Sequence, residues 1–115
     1  IKSEKLRVLF ENQLSQDGIA VINPATEQEL IRLKTRCLDE LDAQIEACKL
    51  AQVEWAKLSA KVRSISLKKW FQLLVEHTED IARIITLEQG KPLIESRAEA
   101  AYGASFVEWF AEEVW

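Results

Sequence analysis

The sequence predicts a fold in which short antiparallel strands over residues 1–37 precede about four α-helices over residues 38–115. A change of hydrophobic pattern marks this division. Residues 30–37 alternate apolar and polar side chains, which is typical of a strand with one exposed face. From Leu38 onward, apolar residues recur every three or four positions, which is typical of amphipathic helices.

The strand region contains three predicted strands, at residues 6–10, 19–22 and 30–37. In the last of them one face carries Ile31, Leu33, Thr35 and Cys37, and the other carries Arg32, Lys34 and Arg36. The sequence Asn23-Pro24-Ala25-Thr26 is typical of a turn, because proline fixes φ and asparagine favours the first turn position. We therefore expect short antiparallel strands with one solvent-exposed face.

The first two helices follow directly. Asp39 is the expected N-cap of the first helix. Its apolar stripe comprises Leu41, Ile45, Cys48, Ala51, Trp55 and Leu58. The sequence Leu-Ser-Ala-Lys at 58–61 interrupts this pattern, so we expect a second helix from Val62 to Glu76.

The third and fourth helices are separated by Gly90 and Pro92. Thr78 is the expected N-cap of the third helix and Gly90 its C-cap, because glycine readily adopts the left-handed conformation. Pro92 suits the first turn of the next helix. Residues 100–115 are apolar on more than one side, which is typical of a helix buried on several faces. We therefore expect this sequence to be the front part of a longer protein.

The pair Gly90-Lys91 raises the possibility of a phosphate-binding loop. A Walker loop needs further glycines, a preceding strand and a following serine or threonine, and this pair has none of them. A metal site is not expected either, since His77 and two cysteines without ligand spacing are a poor ligand set. The net charge of −4 does not favour nucleic acid or an anionic membrane.

The cellular compartment is predicted from the cysteines and from the apolar runs. Two cysteines do not indicate a disulfide framework, so a reducing cytoplasm is expected. No apolar run approaches the roughly 20 residues that a membrane span needs, and the opening residues do not look like a signal peptide.

Three stretches resemble the aldehyde dehydrogenases. "VINPAT" at 21–26 is similar to the opening of that family, and residues 51–86 have the spacing of its second and third helices. "TLEQGKPLIESRAEAAYGASFVEWFAEE" at 86–113 resembles the succinate-semialdehyde dehydrogenase branch. The chain departs from the family at Glu27, where glycine is frequent, and at Ala98.

The resemblance implies an α/β, Rossmann-like parent fold, of which this chain would be the N-terminal part of the cofactor-binding domain. It implies a homo-oligomer that oxidises a small aldehyde with NAD or NADP. The family's catalytic cysteine, general-base glutamate and cofactor loop lie downstream. We therefore expect no catalytic, cofactor-binding or metal residue here, and no activity or bound cofactor for the piece alone. The alternative is a non-catalytic helical interaction or oligomerisation module derived from the same family.

Two groups of residues are candidates for function. Cys37, Cys48 and His77 carry reactive chemistry, but the cysteines lie on apolar faces and His77 lies at a helix junction. Structural roles are therefore favoured for all three.

Tyr102, Phe106 and Trp109 share one helical face, which indicates core packing. The resemblance instead implies that this helix borders the tunnel that admits the aldehyde.

Overall fold

The computed structural model describes residues 14–113. The expected strand at 6–10 and the last two residues lie outside this range. The elements are β1 (Leu14–Ile22), β2 (Glu29–Leu33), α1 (Leu38–Lys57), α2 (Ala60–Glu76), α3 (Thr78–Gln89) and α4 (Leu93–Glu112). Among the described residues, the predicted order of strands followed by four helices is confirmed.

The two strands form an antiparallel hairpin in which Ala20 pairs with Arg32 and Val21 with Ile31. A register shift occurs between Leu14 and Ile19, since both of these residues pair with Leu33. Gly18 lies in this irregular stretch. A Cβ at position 18 would lie 2.1 Å from the carbonyl oxygen of Leu33, so only glycine allows the two backbones to approach this closely.

The second strand is shorter than its alternating sequence predicts. It ends at Leu33, the last residue of β2 that is paired with β1. Ile31 and Leu33 are half-buried and Arg32 is exposed, which confirms the predicted faces within the strand. Thr35 and Cys37 continue the alternation in sequence, but they lie outside the strand and are exposed. Alternation alone does not make a strand, because each strand needs a hydrogen-bonded neighbour.

The hairpin turn is stabilised by Asn23, as the turn chemistry predicts. The Oδ1 atom of Asn23 accepts a hydrogen bond of 2.9 Å from the amide of Ala25, and its carbonyl accepts one of 2.8 Å from the amide of Glu27. Glu27 has a φ of 58°, in the left-handed region. That conformation is unfavourable for a residue with a Cβ, which explains why a glycine would suit this position.

The helix boundaries agree with the predicted breaks but not with two predicted caps. The N-cap of α1 is Cys37 rather than Asp39, which lies in the first turn, where its charge suits the helix dipole. The N-cap of α3 is His77, and Thr78 donates instead to the carbonyl of Leu74 at 3.1 Å. Gly90, with a φ of 75°, is the predicted left-handed C-cap of α3.

The centre of the fold is α4, which packs against both α2 and α3. Small side chains occupy the interfaces of α4 with α2 and α3, which allows these helices to pack closely. The buried residues are Ser64, Ala82, Ser96, Ala104 and Ala111. The hydroxyls of Thr86 and Ser96 form a hydrogen bond of 2.9 Å between α3 and α4, which satisfies the buried Ser96. By contrast, none of the residues of α1 is buried. Within residues 14–113, no helix is both long and apolar enough to cross a membrane.

Candidate functional site

An open groove of about 670 Å³ runs along the outer side of α4. Residues three or four apart on a helix share a face, so the aromatic side chains of this stretch gather on one side. The groove is lined by Tyr102, Ser105, Phe106, Glu108, Trp109, Phe110 and Glu112. The groove therefore contains all three residues that the sequence singled out as one face, Tyr102, Phe106 and Trp109.

The rings of Tyr102 and Phe106 make an edge-to-face contact, with centroids 4.8 Å apart and an interplanar angle of 77°. This is a favoured arrangement for aromatic pairs, because the positive ring edge meets the negative ring face. One turn further along, the hydroxyl of Ser105 donates to the carbonyl oxygen of Tyr102 at 2.7 Å. The two rings thus form a defined, mostly apolar surface.

None of the three aromatic side chains is buried within the described part of the chain. Tyr102 is 66% exposed, Phe106 47% and Trp109 63%. The small residues Ala104 and Ala111 occupy the inward side of α4 instead. Core packing of the aromatic face therefore does not occur among residues 14–113.

The charged residues that line the groove are acidic. Among the described residues, its lining includes Glu108 and Glu112 and contains no lysine or arginine. Glu112 forms an ion pair of 2.8 Å with Lys68, which connects α4 to α2 at the edge of the groove. The groove is therefore suited to an uncharged, carbon-rich group rather than to an anion.

A second charged contact, between α3 and α4, could not be found by sequence spacing. Arg97 donates from Nε to Glu79 Oε1 at 2.5 Å and from Nη2 to Oε2 at 3.1 Å. This two-point hydrogen bond with Arg97 lowers the pKa of the Glu79 carboxyl from its ordinary value. Lys91 lies four residues from Glu95, but its ion pair is with Glu99, eight residues along the chain.

The other candidate residues do not form a site in the described part of the chain. The expectation that Cys37 and Cys48 pack as small apolar residues is wrong within residues 14–113, because both are exposed. Cys37 follows the end of β2, and Cys48 lies on the exposed helix α1. His77 Nδ1 lies 3.8 Å from Asp80 Oδ2 at the junction of α2 and α3. No cluster of three potential metal ligands occurs among the described residues.

Comparisons with known proteins show the family to which the chain belongs. A model of the aldehyde dehydrogenase family matches residues 10–114. The chain belongs to the aldehyde dehydrogenase family. It is similar to the succinate-semialdehyde dehydrogenase [NADP(+)] GabD of Escherichia coli, with 47% identity over 84% of this chain and 20% of the relative. It is also similar to a glutarate-semialdehyde dehydrogenase of Pseudomonas putida, with 47% identity over 83% of this chain and 20% of the relative.

Solved structures of known proteins share the fold of this chain over most of its length. The chain superposes on an NADP-dependent enzyme of Escherichia coli with a TM-score of 0.81 at 47% identity, over 84% of this chain and 20% of that one. A succinate-semialdehyde dehydrogenase of Burkholderia pseudomallei gives a TM-score of 0.80 at 43% identity, over 83% and 20%. The hairpin and helices therefore have the conformation of an aldehyde dehydrogenase segment. The chain spans about a fifth of the length of the relatives it matches.

Proposed function

We propose that the protein to which these residues belong oxidises an aldehyde to a carboxylic acid, with NAD or NADP accepting the hydride. The favoured substrate is a semialdehyde of the succinate type. Family membership carries this proposal, supported by two relatives at 47% identity that are named as semialdehyde dehydrogenases. We further propose that α4 forms one wall of the passage through which the aldehyde enters.

The residues that line the groove are suited to form such a wall for two physical reasons. Rigid aromatic side chains exclude water and accept an apolar carbon chain at little cost in conformational entropy. The Tyr102–Phe106 pair also gives that surface a defined width, so the bulk of the aldehyde would affect its fit.

The same groove makes a poor binding site for the carboxylate of a semialdehyde. Glu108 would repel that carboxylate, the charge of Glu112 is offset by its ion pair with Lys68, and no cationic residue lines the groove within residues 14–113. We therefore propose that α4 contacts the carbon chain, while cationic groups elsewhere in the enzyme hold the carboxylate. No residue of this chain is assigned to the nucleophile or to the cofactor, so these 115 residues alone are expected to be inactive.

A chimera tests the proposal. In it, residues 14–113 replace the matched segment of the Escherichia coli relative, whose own sequence supplies the remaining four-fifths. We expect the chimera to reduce NADP when succinate semialdehyde is added, because the transplanted segment would keep the wall of the passage. The unmodified relative is the positive control. A soluble, cooperatively melting chimera without activity would contradict the proposed role of this segment.

The second candidate function is a non-catalytic interaction module. The exposed α1, which packs little against the other described elements, favours it. Such a module would need no further catalytic segment. The intact mass of the native protein, compared with the length of its gene, separates the two functions. A native protein of about 13 kDa would support the module.

A further inference from the structure

We propose that two polar contacts between α3 and α4 position α4 and thereby determine the width of the aldehyde passage. One contact joins Glu79 to Arg97, and the other joins Thr86 to Ser96. Together these four residues are called the α3–α4 lock. The side chains that line the groove are other residues of α4, so the lock acts on the groove only through the placement of the helix. The inference rests on the proposed function, because only an enzyme with such a passage has a width to determine.

The buried surface of α4 offers little steric resistance to sliding or rotation. Within residues 14–113 the buried side chains are only alanines and serines, and the largest that is fully buried is Ser96. The larger apolar side chains of these helices are half-buried or exposed. Interdigitated ridges of side chains fix how two helices pack, and small side chains make shallow ridges. Polar contacts with a defined direction are therefore more important for the placement of α4.

The two contacts of the lock have that directionality. Arg97 donates from Nε to Glu79 Oε1 at 2.5 Å and from Nη2 to Oε2 at 3.1 Å. Two parallel bonds between planar groups fix an orientation as well as a distance. One residue earlier on α4, the buried hydroxyl of Ser96 lies 2.9 Å from that of Thr86. The two partners on α3 are seven residues apart, or about 10 Å along the helix axis. The contacts therefore oppose both sliding and rotation of α4.

The Glu79–Arg97 contact contributes more to geometry than to stability. Its side chains are 55% and 45% exposed, and exposed ion pairs add little to the free energy of unfolding because water competes for the charges. Tyr102 follows Arg97 by five residues, about one and a half helical turns. A displacement of α4 at Arg97 is therefore transmitted to the rings of Tyr102 and Phe106, which would alter the space beside them.

The selectivity of the complete native protein tests the lock. Arg97→Gln removes the charge and the two-point contact with Glu79. Because a displacement of about 1 Å can change a rate by up to about a hundredfold, we expect the ratio of kcat/KM between a short and a bulky aldehyde to change at least about fivefold. Arg97→Lys keeps the charge but loses the planar fork, so its ratio should lie between those of the unmodified protein and Arg97→Gln. A crystal structure of Arg97→Gln should show α4 displaced on α3.

Gly18→Ala is the matched control for a general loss of stability. Gly18 lies in the hairpin, and a Cβ there would approach the backbone of Leu33 rather than any residue of the lock. Gly18→Ala should therefore lower the melting temperature while the selectivity ratio stays that of the unmodified protein. A residue with only a structural role would behave in the same way as this control.

The outcomes separate this proposal from the proposed function. An unmodified protein that oxidises no aldehyde would overturn both. An active protein whose selectivity ratio is unchanged by Arg97→Gln, or changed equally by Gly18→Ala, would overturn the α3–α4 lock alone. If Arg97→Gln does not fold, Arg97→Lys decides, and a ratio equal to that of the unmodified protein would then contradict the lock.

Discussion

Replacement of Phe106 by alanine separates a wall of the aldehyde passage from a purely structural role. Phe106 is 47% exposed and makes an edge-to-face contact with Tyr102. Truncation of a fully buried phenylalanine costs roughly 3–5 kcal/mol. Because about half of this side chain is already exposed, we expect the free energy of unfolding of the chain to fall by roughly 1.5–2.5 kcal/mol.

Phe106→Ala should affect the selectivity between aldehydes more than the overall rate of the reaction. In the chimera with the Escherichia coli relative, Phe106→Ala widens one side of the proposed passage. One methylene of fit in an apolar pocket is worth roughly 1–3 kcal/mol, so the ratio of kcat/KM between a short and a bulky aldehyde should change about tenfold or more. The assay is NADP reduction with both aldehydes, together with a thermal melt.

Ile94→Ala is the matched control for this experiment. Ile94 lies on the same helix, is 75% exposed and does not line the groove. It should leave both the selectivity ratio and the melting temperature nearly unchanged. If Phe106→Ala strongly lowered the melting temperature while the selectivity ratio stayed constant, the proposed wall would be refuted and Phe106 would have a packing role in the complete enzyme.

Three further predictions concern the stability of the chain. Gly18→Ala should weaken the hairpin by roughly 1–3 kcal/mol, because the new Cβ would displace the carbonyl of Leu33. We expect faster amide hydrogen exchange in β1 and β2, and an unchanged exchange rate would contradict the prediction. Glu27→Gly should raise the free energy of unfolding by up to about 1 kcal/mol. The strain of the left-handed conformation that glycine relieves exceeds the entropy that glycine adds to the unfolded chain. Chemical denaturation measures this change, and a loss of stability would refute the argument. Arg97→Gln should lower the melting temperature above pH 4.5, the ordinary pKa of the Glu79 carboxyl, because the pKa of this carboxyl is depressed in the folded chain. That difference should shrink as the pH falls through the lower folded value, and a difference independent of pH would show that the pair does not act through charge.

The sequence predicts the order of the elements because the relevant signals are local. The helix break at Gly90 depends on the left-handed conformation of one residue, and the hairpin turn depends on the side chain of Asn23. Both signals are readable within four or five positions. The family resemblance is equally local, since it rests on contiguous stretches such as residues 86–113.

Features that join distant parts of the chain were not predictable in this way. Glu79 and Arg97 are 18 residues apart, and only the packing of α3 on α4 brings them together. The exposure of Cys37 and Cys48 among residues 14–113 was not predictable either. Periodicity shows which side chains share a face, but the presence of a covering element depends on tertiary structure, which one sequence does not show.

The native protein that carries these residues provides the most direct test of the central claim. Its purified form should reduce NAD or NADP when succinate semialdehyde is added, and an equimolar amount of the carboxylic acid should accumulate. A folded native protein that reduces neither cofactor with any aldehyde, whether or not the aldehyde carries a carboxylate, would contradict the account.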